Sequence, residues 1–152
     1  MIRRMTAQDI PALIALGEAM HKESRYSSLD FSADKLRELG RTILAKPNEW
    51  LALVSDRGGE IIGFCLGFVC PHFFGNDLTS GDLAVYVTLE HRGGMAGVAL
   101  VKEYDAWCLK MGVREPLLGV SAGITPERTG QLYERLGYTE KYIIYKKPIP
   151  VV

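Results

Sequence analysis

Sulfur has little structural work available in this chain. Its three cysteines, Cys65, Cys70 and Cys108, form no CxxC pair and leave one over, which argues against a disulfide scaffold and for free thiols in a reducing cytoplasm. The three histidines, His21, His72 and His91, form with the cysteines no cluster of metal-ligand spacing, so no metal site is expected. Charge of neither sign is in excess. Lys plus Arg and Asp plus Glu both total 18, so no global field draws in nucleic acid or an anionic membrane. No apolar run approaches a membrane span. The opening Met1-Ile2-Arg3-Arg4-Met5-Thr6 carries charge but no apolar signal core, so secretion is not expected. Repeats, low-complexity tracts and long linkers are also missing. What is present is 152 residues, 47% of them apolar, enough for one globular domain over 1–152 with a sizeable core.

The hydrophobic pattern divides the chain into ten elements. Residues 1–5 read as a short strand. Thr6 and Asp9 form a capping-box-like start, and Ile10, Leu13, Ile14, Leu16 and Met20 follow at helical spacing. A polar connection covers 21–31. Ser32 caps a second helix to about Ala45, ended by Pro47 and Asn48. Strands follow at 50–55 and 61–69 around the turn Arg57-Gly58-Gly59-Glu60, then a loop at 70–80 and a strand at 82–89. A helix beyond Gly94 stops at Gly112. A buried strand is expected at 116–121, a short helix at 128–136, and a last strand or strand pair at 138–147. The order β-α-α-β-β-β-α-β-α-β describes an α/β chain with a mixed sheet and helices on its faces.

The segment Val87-Thr88-Leu89-Glu90-His91-Arg92-Gly93-Gly94-Met95-Ala96-Gly97-Val98 stands where a strand passes through a side-chain-poor turn into a helix. Such a turn leaves several amides unpaired and aimed one way, and the helix dipole adds to their preference for anions. The phosphate loops GxxxxGK[ST] and GxGxxG are both absent. The remaining reading is a turn whose amides from Arg92 to Val98 cradle a diphosphate, with Arg92 or Lys102 adding charge. The plainer reading, a tight turn with close helix–sheet contact, stands beside it.

Two blocks carry a resemblance to a known family. Val87, Arg92, Gly97 and Leu100 fall on the R/Q-x-x-G-x-G/A motif of the GNAT superfamily of acyl-CoA-dependent N-acetyltransferases. Met95 stands at its middle glycine and Leu89 where proline is common. Downstream, Leu132-Tyr133-Glu134-Arg135-Leu136-Gly137-Tyr138 resembles the family's L-Y-E-x-L-G-F/Y segment, with Pro126 and Thr129 in place of its asparagine and alanine. The element order agrees along nearly the whole chain.

The resemblance implies a GNAT-like fold whose central strands splay to hold coenzyme A. It implies transfer of an acetyl group from acetyl-CoA to a primary amine by direct attack. Such a reaction needs a held thioester, a deprotonated amine, a donor toward the developing negative oxygen and a proton for the departing thiolate. Backbone at Tyr86, Val87 and Leu89 would pair with the pantetheine arm, and Arg92, Gly93, Gly94, Met95, Ala96, Gly97 and Val98 would hold the diphosphate. A fixed main-chain donor is typically worth ~3 kcal/mol to the transition state. Tyr133 matches the family's general acid, although it also suits a core aromatic.

The base is open among Asp82, Glu23, His21 and His72, and each has an ordinary structural reading as an ion pair, a turn cap or a strand-edge charge. The acceptor is a small-molecule or peptide amine. It would lie between the 21–31 and 70–80 connections, against His21, Arg25, Tyr26, His72, Phe73 and Phe74. Nucleic acid is not expected as the main partner. Tyr142, Ile143, Ile144 and Tyr145 suit either a core strand or a homodimer edge. The alternative to an enzyme is a non-catalytic acyl-CoA-binding or regulatory module on the same fold.

Overall fold

Both faces of one strand are apolar, and that fixes the layers. In β2 (Trp50–Arg57) Leu51 and Leu53 face one way, Ala52 and Val54 the other, and all four are at most 5% exposed. A strand buried on both faces needs cover on both. On one side α3 (Ala96–Met111) packs Leu100, Tyr104, Trp107 and Cys108 against Leu51, Leu53 and Cys65. On the other, Ile10 of α1 (Ile10–Glu23) and Ile43 of α2 (Ala33–Ala45) close over Met5, Ala52 and Val54. The computed structural model describes residues 1–150.

The sheet is four-stranded and antiparallel, in the order β1 (Ile2–Arg4), β2, β3 (Glu60–Pro71), β4 (Leu78–Val87). Ile2 lies opposite Ser55, Leu53 opposite Cys65 and Cys65 opposite Val85. The helix starts follow the predicted caps. Thr6 and Asp9 form a reciprocal capping box before α1, and the Ser32 side chain accepts from the Lys35 amide at 3.2 Å before α2. A short 3-10 turn at Leu89–His91 joins β4 to the glycine-rich segment, and α4 (Pro126–Arg135) ends the regular structure.

The strand expected at 116–121 is not formed. Its ladder shrinks to one parallel bridge between Thr79 and Glu115, and Leu117 and Val120 are 41% and 43% exposed. Side chains take the backbone partners instead. The Leu117 amide donates to Ser80 Oγ at 3.3 Å, and the Tyr104 hydroxyl donates to the Leu117 carbonyl at 2.7 Å while lying 2.8 Å from Ser80 Oγ. One step on, the Gly119 amide donates to Asp82 Oδ1 at 2.7 Å. A segment whose polar groups are met this way gains nothing from a regular ladder. The expected final strand at 138–147 is likewise absent among the described residues. Tyr142, Ile143, Ile144 and Tyr145 are 73–94% exposed, because the 116–121 segment offers no strand edge to pair with. The strand expected at 82–89 starts earlier, at Leu78, and stops at Val87, since the hairpin with β3 extends to Pro71 opposite Leu78.

Candidate active site

Beyond the Asp82–Gly119 contact, β4 and the 119–125 segment leave between them a cavity of about 470 Å³. Its walls are Asp82–Val87 from β4, the turn before α3, residues 119–125, and the face of α4 bearing Arg128, Leu132, Tyr133 and Arg135. Size and concavity suit a ligand rather than a packing defect.

One end presents unpaired backbone donors. Gly93 has φ +86°, a conformation L side chains rarely adopt, and it turns the chain into α3. Met95 precedes the helix without a side-chain cap. Among the described residues, none accepts a hydrogen bond from the amides of Gly93 to Val98. These are the orphan donors that a helix start ordinarily satisfies with a cap, water or ligand. Met95 itself is 69% exposed and turns away into a shallow hollow with Met1, Ile2 and Asp56, so its side chain leaves the cavity clear. A Cβ on Gly97 would meet only ordinary contacts, Leu132 at 3.7 Å and Val87 at 4.0 Å.

The other end holds Tyr133 and Asp82. Tyr133 is 5% exposed, with its ring 5.9 Å from that of Tyr138. Burial pushes its phenol well above the usual range, with the Asp82 charge acting in the same direction. Burial also raises the Asp82 carboxyl, opposed by the Gly119 amide that favours its ionised form. Both groups therefore hold protons more tightly than in water, and each lies at the cavity wall.

Glu23 belongs to a different arrangement. It closes α1 and accepts from the Tyr86 hydroxyl at 2.6 Å, from Arg92 Nη1 at 3.1 Å and from Arg92 Nη2. The Arg92 guanidinium holds the Glu23 carboxyl below the usual carboxylate range, with Tyr86 reinforcing it against a smaller burial cost. Arg92 Nε donates to the Val87 carbonyl at 2.9 Å. Arg92 thus ties the turn to α1, with its charged nitrogens directed at Glu23.

A family model for the GNAT acetyltransferase family matches residues 16–138. The chain belongs to the GNAT acetyltransferase family. Solved structures overlay nearly its full length. Glucosamine-6-phosphate N-acetyltransferase from Arabidopsis thaliana shares 18% identity at TM-score 0.77, over 99% of this chain and 98% of that one. Ribosomal-protein-alanine N-acetyltransferase from Brucella melitensis biovar Abortus 2308 shares 17% at TM-score 0.73, over 98% of each chain. A transcriptional regulator from Bacillus halodurans C-125 shares 17% at TM-score 0.79, over 98% and 99%. At these identities the overlays establish the fold. No curated protein matches the sequence. The protein is an acetyltransferase of a family that generally uses acetyl-CoA.

In this GNAT chain the residues named from sequence fall in several places. Tyr133, Asp82, Val87, Arg92, Gly93, Gly94, Gly97, Val98 and Tyr26 line the cavity. Leu89, Met95 and Ala96 flank the turn outside it, and Leu89 is 68% exposed. Arg25 stands at the rim, where its amide donates to the Ala122 carbonyl at 2.9 Å and its guanidinium lies 4.4 Å over the Tyr26 ring. His21 is held to the Leu29 carbonyl at 2.8 Å. His72, Phe73 and Phe74 stack on one another at the tip of the β3–β4 hairpin and do not line the cavity. Phe73 and Phe74 are 84% and 85% exposed there. Sequence reasoning missed Arg128, Ser121 and the Tyr86–Glu23–Arg92 link. The last joins residues far apart in the chain, and no local pattern announces it. No helix is long and apolar enough to cross a membrane among the described residues, and no group of His, Cys, Asp and Glu there could hold a metal.

Proposed function

We propose that this protein transfers an acetyl group from acetyl-CoA to a primary amine, with Tyr133 as general acid and Asp82 as general base. The observation that carries this reading is the polarity of one cavity: unpaired amides and the Arg128 guanidinium at one end, a buried phenol and a half-buried carboxyl at the other. The amides of Gly93–Val98 fit a diphosphate, the apolar stretch past Val85 and Leu132 fits a pantetheine arm, and acetyl-CoA would supply the activated acetyl thioester.

Each residue then has a defined task. Tyr133 keeps its proton at neutral pH because burial raises its pKa. The same dry surroundings raise the proton affinity of a departing thiolate, so the two stay matched. Asp82, raised above an ordinary carboxylate, is a better proton acceptor than a solvated one and suits the ammonium of the acceptor. Glu23 is disfavoured as the base, since a carboxylate held down by Arg92 has little affinity for a proton. Tyr26 and Ser121, joined at 2.9 Å, edge the mouth through which an acceptor would enter.

Release of free thiol from acetyl-CoA across a panel of small amines and peptide N-termini tests this reading. Turnover with at least one amine is expected. Binding of acetyl-CoA with no thiol release for any amine would favour the non-catalytic module instead.

A further inference from the structure

The cavity has an arginine that neither motif pointed to. Arg128 sits in the first turn of α4, facing the glycine-rich turn across the cavity. Its Nη2 lies 3.7 Å from the point a Cβ would occupy on Gly93, ordinary contact distance, so the guanidinium stands directly against the turn. Unlike Arg92, it is exposed and takes part in no ion pair or hydrogen bond among the described residues. Arg92 has its Nε on Val87 and both terminal nitrogens on Glu23, which leaves its charge answered within the protein.

Two sets of donors therefore converge with no protein anion between them: the free amides of Gly93–Val98 and the Arg128 guanidinium. A single carboxylate would satisfy one set. A diphosphate, with oxygens on two linked phosphorus atoms, satisfies both, and a guanidinium fork matches phosphate oxygens in pairs. Resting on the acetyl-CoA reading above, we propose that Arg128 is the side-chain ligand of the coenzyme A diphosphate and that Arg92 is a positioning residue for the turn. The α4 face thereby closes the phosphate site that the turn opens.

Calorimetric titration of CoA, 3′-dephospho-CoA and pantetheine into the unaltered chain, Arg128→Gln and Arg128→Lys tests this without reference to turnover. The account expects Arg128→Gln to weaken CoA and 3′-dephospho-CoA alike by about 10- to 100-fold, the range for a lost charge-assisted bond. Pantetheine, which lacks the diphosphate, should bind the variants as it binds the unaltered chain, and Arg128→Lys should recover part of the loss. Equal CoA affinity for Arg128→Gln and the unaltered chain would overturn the assignment. A loss confined to CoA would move Arg128 to the 3′-phosphate, and an equal loss for pantetheine in both variants, with unchanged melting temperature, would place its effect away from the diphosphate; either result overturns it too. Failure of the unaltered chain to bind CoA would remove the acetyl-CoA reading and this assignment together.

Discussion

Glu23 and Arg92 join the end of α1 to the turn after β4, with the Glu23 carboxylate accepting from Nη1 at 3.1 Å, from Nη2, and from the Tyr86 hydroxyl at 2.6 Å. Their side chains are 32% and 18% exposed, so the pair is partly shielded from solvent. The carboxylate is therefore a strut, and its chemistry follows from that.

Glu23→Gln should leave kcat within a few-fold of the unaltered enzyme while lowering stability by about 1 kcal/mol, a drop in Tm of roughly 2–4 °C for a chain this size. Because the folded-state pKa of Glu23 is depressed, its contribution is present above the unfolded carboxylate pKa and is lost as pH falls through the folded one. Thermal melts at neutral and acid pH check both points. A fall in kcat of two orders or more in Glu23→Gln would make Glu23 the base after all.

Tyr133→Phe keeps the ring that packs on Tyr138 and removes the proton. Turnover should fall by roughly 10²-fold or more with CoA affinity unchanged. An unchanged rate measured beside an unchanged Kd removes Tyr133 from the reaction.

On the proposed mechanism Asp82 sets the acid limb of the pH dependence. Its pKa is raised by burial, so kcat/KM should decline as pH falls through a value above the ordinary carboxylate range. The sign for stability is opposite to that of Glu23. A raised folded pKa means the ionised form is penalised in the fold, and that penalty acts above the folded pKa. Asp82→Asn should hence lose activity while matching or exceeding the parent Tm at neutral pH. A variant that stays active with an unshifted acid limb contradicts the role.

Gly67 faces Tyr104 across the sheet. A Cβ on Gly67 would lie 2.8 Å from Tyr104 Cε2, and that ring is fully buried with its hydroxyl committed to Leu117 and Ser80. The β3–β4 ladder shifts register between Leu66 and Gly67, beside this contact. Gly67→Ala should cost about 1–3 kcal/mol through forced repacking and loosen residues 116–121, visible as faster amide exchange at Leu117 and Gly119.

The local signals of this fold were legible where one residue decides the outcome. The Thr6–Asp9 box, the Ser32 cap and the stop at Gly112 set helix ends that the structure keeps. The apolar run at 50–55 predicted a strand, and the glycines after Val87 predicted a side-chain-poor turn before a helix. The Pro116–Ser121 stretch misled because its apolar content reads as a buried strand. Its fate was decided by Ser80 and Tyr104, distant residues whose hydroxyls take the Leu117 backbone groups. The side-chain partner of Arg92 was hidden for a related reason: Glu23 lies on another element, far away in the chain. His72, Phe73 and Phe74 were expected at the acceptor, but the hairpin lengthened and carried them to its tip.

A structure of the protein crystallised with coenzyme A would test the central claim most directly. The account predicts diphosphate density on the amides of Gly93 to Val98 and the sulfur beside Tyr133 and Asp82. Density for the ligand elsewhere on the molecule, or a cavity left empty at saturating coenzyme A, would contradict it.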